Sequence, residues 1–285
     1  VVQQLVNGLF FGGQLALLAV GLTLIYGVAR VLNFAHGGVF MIGGYVGLFT
    51  ISATDSWLVA LPAAVVVTFL LGVGIEVALV RRLRDRQEFD LAAIIVTLGL
   101  WIVLENGMRL LAGSSQQSIT PMVSEVWLVG STVVNVQRLL IFVISVAAIA
   151  ALFLLIRYTK FGLGLRAAAE DDQVTELMGV DLPRLYAITF GLSTALAGLA
   201  GVLLAPIFSV YPAVGNRPFL LAFIVVIIGG LGSVRGTLLA AVFLALVRSL
   251  SLIWLSNQAA TILLFAIMAA VLIASPEGIG RWVEA

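Results

Sequence analysis

The sequence predicts an all-α polytopic membrane protein with about eight transmembrane helices, some broken by glycine or re-entrant, because apolar segments of about 20 residues recur along it. Composition points the same way: 62% of the 285 residues are apolar, 10% are charged, and the mean hydropathy is +1.18. A soluble domain carries about 45–50% apolar and about 25% charged residues. No soluble core has room for this much apolar surface, so lipid must be the solvent.

Candidate spans fall near Leu5–Tyr26, Asn33–Ala53, Trp57–Val80, Leu91–Leu111, Leu139–Ile156, Leu185–Leu204 and Gln258–Ala274. The stretch Phe219–Leu255 is also apolar but is interrupted by Gly229-Gly-Leu-Gly-Ser-Val-Arg-Gly236. It is either a re-entrant half-helix followed by a full span or two short spans. The opening Val1-Val-Gln-Gln4 has neither a basic region nor a small-residue cleavage site, so the first apolar stretch is expected to be retained.

Orientation follows from where Lys and Arg collect. Arg81, Arg82, Arg84 and Arg86 crowd one short loop, and Arg157, Lys160, Arg166 and Arg184 another. Both loops are expected on the cytoplasmic side, with Arg30 and Arg281. The external loop, 112–137, holds no Lys or Arg before Gln137. Arg109, Arg138 and Arg217 fall outside, and Arg235 and Arg248 stay unassigned. This places the N-terminus outside and the C-terminus in the cytoplasm. The whole chain, 1–285, reads as one transmembrane domain with its large cytoplasmic loop at 157–184.

Several function classes drop out. A net charge of +1 offers no field for nucleic acid, and with no cysteine and a single histidine no metal or thiol site is expected. There is no Gly-x-x-x-x-Gly-Lys-Ser/Thr loop, so no nucleotide or other cofactor is expected in this chain. Polar residues within the spans are few: Asn7, Gln14, Asn33, His36, Glu76, Glu105 and Asn106. Glu76 stands one turn from Arg81 and Arg82, and Glu105 four residues before Arg109, so both carboxylates read as halves of structural ion pairs. His36 suits a hydrogen bond to freed backbone and a solute contact equally.

Two glycine-rich interruptions stand out: Asn33-Phe-Ala-His36-Gly37-Gly38, with Gly43, Gly44 and Gly47 beyond it, and the segment holding Gly229, Gly230 and Ser233. Unpaired backbone is not tolerated against lipid, so such breaks belong inside protein or beside a water-filled path. They are candidates for the translocation path; tight packing through small residues is the other reading, and Gly8-xxx-Gly12 and Gly43-xxx-Gly47 allow it. In the external loop, Val126–Val136 is rich in β-formers around a central Gly-Ser, which suggests a surface hairpin, either a connector or a docking surface.

The cytoplasmic loop carries a short helix. Asp171 or Asp172 can cap its start, Val174, Leu177 and Met178 share one apolar face, and Gly179 stops it. A helix lying on lipid usually carries basic residues on its polar face. This one carries Glu170, Asp171, Asp172 and Glu176, which favours a protein partner.

That loop, RAAAEDDQVTELMGVDLPRLYAITFGLSTALAGLAGVLLAP, resembles the coupling region of permeases of the branched-chain amino-acid ABC transporter family. NFAHGGVFMIGGY, IEVALVRRLRDR, VIIGGLGSVRGTLLAA and the terminal PEGIGRW are similar to that family's segments and stand in its order, so the resemblance runs through nearly the whole chain. In length it looks like the shorter of two paired permeases. Arg81-Arg82-Leu83 departs from an expected Arg-Pro-Leu, and the Glu-Ala-Ala…Gly coupling motif has Glu170 and Gly179 in variant form. The resemblance implies a second homologous permease, two cytoplasmic ATPase subunits that bind ATP and magnesium, an extracytoplasmic binding protein, and a bacterial-type inner membrane. It implies import of branched-chain or other amino acids, or of urea and short amides, with Glu170–Gly179 as the coupling helix. An ion-coupled carrier of a small neutral solute is the alternative, and it would need a mid-membrane carboxylate.

Overall fold

The computed structural model describes residues 1–84, 86–129, 132–275 and 278. Eight of its helices are long and apolar enough to cross a membrane among the described residues. In chain order the elements begin with α1 (Val2–Ala29), α2 (His36–Thr54), α3 (Trp57–Ile75) and α4 (Phe89–Ala112). The hairpin strands β1 (Val126–Val129) and β2 (Thr132–Asn135) follow, then α5 (Val136–Tyr158). Two short helices, α6 (Lys160–Glu170) and α7 (Asp172–Leu177), precede α8 (Leu182–Phe208). The chain continues through α9 (Asn216–Gly229), α10 (Val234–Ser251) and α11 (Asn257–Ala274).

The molecule has two distinct ends. At the hairpin end, β1 and β2 pair antiparallel with Val126 opposite Asn135, and the Gln3 side chain is hydrogen-bonded to Val133. The hairpin tip, Gly130-Ser131, lies outside the described residues, as do Arg281 and the rest of the C-terminal motif except Gly278. At the opposite, basic end, Arg81 donates to the Pro183 carbonyl oxygen at 2.8 Å, joining the end of α3 to the start of α8. So α1 starts at the hairpin end and α8 at the basic end, and the two run in opposite directions.

From this opposition follows an inverted repeat. α1–α4 and α8–α11 share one order: a long central span, a helix entered through non-helical chain, a packing span and a peripheral span. The contacts correspond as well. α1 on α10 answers α8 on α3, α2 on α8 answers α9 on α1, and α2 on α4 answers α9 on α11, while α1 and α8 cross at the centre. α5, α6 and α7 form the link between the two halves.

The broken segments are where the repeats meet. α9 has only 14 residues, at 1.5 Å each too few to span hydrocarbon about 30 Å thick, so it is the half-helix and α10 the full span. α2 starts at His36, three residues later than the pattern suggested, after a non-helical approach through residues 31–35. Its first turn is deep in the bundle, since His36 Nε2 lies 3.1 Å from the carbonyl oxygen of Leu18, midway along α1. The start of α9 abuts that of α2: a Cβ on Gly215 would collide with the Gly37 backbone. The two helix starts thus stand back to back inside the protein, with α2 running to the hairpin end and α9 to the basic end.

Close approach of backbones holds this centre. A side chain at Gly43 would strike the Gly198 backbone, and one at Gly201 the Phe40 carbonyl. Small polar groups join helices here too: Thr23 and Thr237 hydroxyls are 2.7 Å apart, and Ser193 donates to the Gly21 carbonyl.

Candidate functional site

At the basic end, α6 and α7 project from the spans. Thr159 caps α6 by accepting from the Gly162 N–H at 3.0 Å, and the Asp171 carboxylate caps α7 by accepting from the Val174 N–H at 3.0 Å. α7 closes with the Gly179 N–H on the Glu176 carbonyl and the Val180 N–H on the Thr175 carbonyl, which requires the positive φ of +88° that glycine supplies at residue 179. Thr175 faces inward and is buried, whereas Leu177 is 87% and Met178 81% exposed, with Val174 and Glu176 also outward. Glu170 and Asp171 stand exposed at the α6–α7 junction. The apolar face of α7 is therefore uncovered within the chain.

Behind α7 lies a cavity of about 570 Å³ lined by Arg30, Arg84, Asp172, Glu176 and Tyr186. The partner of Glu76 is Arg84, at 3.0 Å, and not Arg81 or Arg82 as the spacing suggested. The cause is local. After Glu76 the helix widens into a π turn over Glu76–Val80 and tightens into a 3₁₀ turn over Arg81–Leu83, which turns Arg81 toward Pro183 and brings Arg84 back. Glu76 is fully buried, and the Arg84 guanidinium also lies 3.8 Å from the Tyr186 ring centre. Glu105 and Arg109 do pair at 3.0 Å, near the other end of the molecule and partly exposed.

The residues singled out for a path separate into two places. Asn33, His36, Gly37 and Gly38 sit at the junction of the two helix starts. The Asn33 side chain accepts from the Ala35 N–H at 3.1 Å and His36 donates through Nε2 to Leu18, while Asn33 Nδ2 and His36 Nδ1 are buried without a partner among the described residues. Trp101, Phe34 and Phe219 pack around this junction, with Trp101 and Phe219 ring centres 5.0 Å apart. Gly229, Gly230 and Ser233 lie elsewhere, at the turn from α9 to α10 where Gly232 meets Gly27. There Gly230 takes a φ of +91°, and Ser233 caps α10 by accepting from the Gly236 N–H.

A second cavity of about 530 Å³ opens toward the hairpin end and contains none of those residues. Its wall includes Asn7, Gln14, Arg138, Arg217, Arg248 and Asn257, and its floor reaches Leu18 and Val214, beside the start of α9. The residues of this cavity come from α1, α5, α8, α9, α10, α11 and the stretch between α8 and α9, and no spacing in the sequence links them. The one available signal was that Arg138 and Arg217 each fall in the first turn of a helix, where the macrodipole disfavours a cation.

Inverted repeats, a half-helix meeting the start of α2 inside the bundle, and cavities opening toward both ends define a membrane transport domain of the permease class. The chain belongs to the family described as branched-chain amino acid transport system / permease component, which it matches over residues 4–272. It is similar to the high-affinity branched-chain amino acid transport system permease protein LivH of Salmonella typhimurium, at 33% identity over 97% of this chain and 94% of that protein. The corresponding protein BraD of Pseudomonas aeruginosa is 32% identical with the same coverage. A more distant relative, the fructose import permease protein FrcC of Rhizobium meliloti, is 27% identical over 85% of this chain and 71% of its own length. No solved structure matches the chain significantly.

Proposed function

We propose that this chain is the membrane-spanning subunit of an ATP-driven importer of branched-chain or other amino acids, and that α7 is its docking element for a cytoplasmic ATPase. The observation that carries this reading is the uncovered apolar face of Leu177 and Met178 on a capped helix outside the spans. Covering one such side chain is worth about 1.5–3 kcal/mol, enough for a few anchors to hold an interface. The acidic groups around them, Glu170, Asp171 and Glu176, form a polar rim.

In this reading the basic end faces the cytoplasm and the hairpin end receives solute from an extracytoplasmic binding protein. A second homologous permease completes the membrane unit, and ATP and magnesium are bound by partner subunits. Movement of α7 is passed through α6 and the Arg84–Tyr186 contact to α8, and so to the junction at Asn33, His36 and Gly37, which acts as the constriction between the outer and inner cavities. The turn at Gly229, Gly230 and Ser233 is the hinge that carries α9 with α10.

The test is recovery of ATPase on tagged permease, normalised to permease extracted. Leu177→Asp sets an unpaired charge in a desolvated contact and abolishes recovery, while Glu176→Ala leaves it nearly intact, since rim charges are worth about 0–1 kcal/mol. Equal recovery for wild type and Leu177→Asp removes α7 from the docking role. The orientation is checked by single cysteines, free of background in this chain. Replacements of Ser118 and Leu128 react with an impermeant reagent from outside, and those of Arg86 and Gln173 only after the membrane is opened.

A further inference from the structure

The cavity at the hairpin end combines features that no packing role requires. Its lining includes Arg138, Arg217 and Arg248 and not one Asp or Glu. None of the three arginines forms an ion pair among the described residues. Arg248 is held by Asn257 at 2.6 Å and lies over the Phe11 ring, so its position is fixed while its charge stays uncompensated. Arg217 stands in the first turn of α9, where the helix already presents positive N–H ends, and its own backbone N–H has no acceptor among the described residues. Deeper in, Gln14 is only 6% exposed, lines the cavity and has no hydrogen-bond partner among the described residues. The Gln14 amide is open to the cavity and free to bond a solute, and a row of cations beside a helix start is costly unless something negative comes to them.

The opposite polarity lies across the same space. α8 ends at Phe208, and Leu204, Ile207 and Phe208 from its last turns line the cavity with α9's start. The last carbonyls of a helix have no intrahelical donors and form its negative end. One cavity therefore faces a positive helix start with arginines and a negative helix end with side-chain amides. Its volume, about 530 Å³, lies within the range of about 300–1,000 Å³ usual for small-molecule sites.

We propose that this cavity is the outer solute site and that it selects a zwitterionic α-amino acid by its carboxylate, held by Arg217, Arg248 and the start of α9. The ammonium faces the end of α8 and the Gln14 amide oxygen, and the aliphatic side chain lies on Phe10, Leu15 and Leu221. This deepens the permease reading and rests on it. Within that reading it separates amino acids from urea, short amides and sugars, none of which offers a carboxylate to the arginines.

The experiment uses the assembled transporter in nanodiscs with Leu252→Cys as a reporter in the cavity wall, ATP-driven uptake being measured in parallel. L-leucine should slow modification of the reporter, whereas leucinamide, which lacks the carboxylate, should not. Arg217→Gln or Arg248→Gln should raise the leucine concentration needed for protection about tenfold or more, as expected for loss of a charge-assisted hydrogen bond. The same variants should lower the modification rate by an anionic reagent relative to a cationic one. Equal protection by leucine and leucinamide, or protection untouched by both arginine variants, overturns the assignment. If protection instead follows the anionic phospholipid content of the nanodisc and ignores leucine, the cavity holds a lipid headgroup and the proposal falls. ATP-driven uptake that persists in either case leaves the permease reading standing, and its absence in wild type is the failure of that reading instead.

Discussion

α1 and α8 are 89% buried over their most apolar windows, with mean hydropathy 1.9, whereas α5 has mean hydropathy 3.2 and is only 17% buried. The most apolar span is thus among those left outside. Between helices in lipid there is no hydrophobic gain to be had, because the surroundings are as apolar as leucine. What brings α1 and α8 inside is the ability to approach closely and to bond: glycines at the α2–α8 contact, hydroxyls at Thr23, Ser193 and Thr237, and buried polar groups at Asn33 and His36. α5 carries the long aliphatic side chains that suit contact with lipid or with another subunit. Burial in this protein tracks small and polar residues, not hydrophobicity.

The contrast breaks most sharply at the backbone contacts. Gly201→Leu or Gly43→Leu inserts a side chain where the opposite backbone stands, and neither side can yield by rotating a bond. Overpacking costs about 1–3 kcal/mol even where neighbours can shift, and here the loss should reach or exceed that range. Both variants should be absent from the monodisperse fraction in size-exclusion chromatography. Val143→Leu or Val146→Leu on α5 should elute as wild type, and equal behaviour of the two sets would refute the inside–outside distinction.

Next in size is the buried pair at the basic end. Removing Glu76 alone strands the Arg84 charge and should cost about 3–5 kcal/mol, seen as a lowered denaturation temperature in detergent. Glu76→Leu with Arg84→Leu should recover a good part of that loss, because no uncompensated charge remains. Arg81→Ala breaks a single bond to the Pro183 carbonyl and should cost less than Glu76→Ala. A larger effect from Arg81 would reinstate it as the partner of Glu76.

The smallest effects belong to the periphery. Glu105→Gln removes a partly exposed helical pair and should change stability by about 0.3–0.5 kcal/mol, and Leu110→Ala, at a residue 89% exposed, should be similarly mild when the chain is studied alone. A large loss at Leu110 only in the assembled transporter would identify that face as a subunit contact.

How legible each feature was depends on how local its cause is. The spans and α7 could be read directly, because hydropathy, the Asp171 cap and the Gly179 stop act within a few residues. α6 was missed, since Gly162 and Gly164 lower its intrinsic helix propensity and its stability comes from packing against α5 and α8. The choice between two short spans and a half-helix with a full span at 219–255 depends on the backbone contact between Gly215 and Gly37, far apart in sequence. The partner of Glu76 was misread because a change of helix type alters which residues share a face. The cavity at the hairpin end had one weak signature, Arg138 and Arg217 in the first turns of α5 and α9, and nothing local links those arginines to Arg248 of α10.

The most direct test of the account is solute accumulation in proteoliposomes. The chain is reconstituted with the second permease and ATPase subunits proposed for it, supplied with the proposed binding protein, and labelled leucine is followed with ATP inside and ion gradients collapsed. The account predicts accumulation that requires ATP, survives loss of the sodium and proton gradients, and disappears in Leu177→Asp. Accumulation driven by either gradient in liposomes holding this chain alone would contradict it.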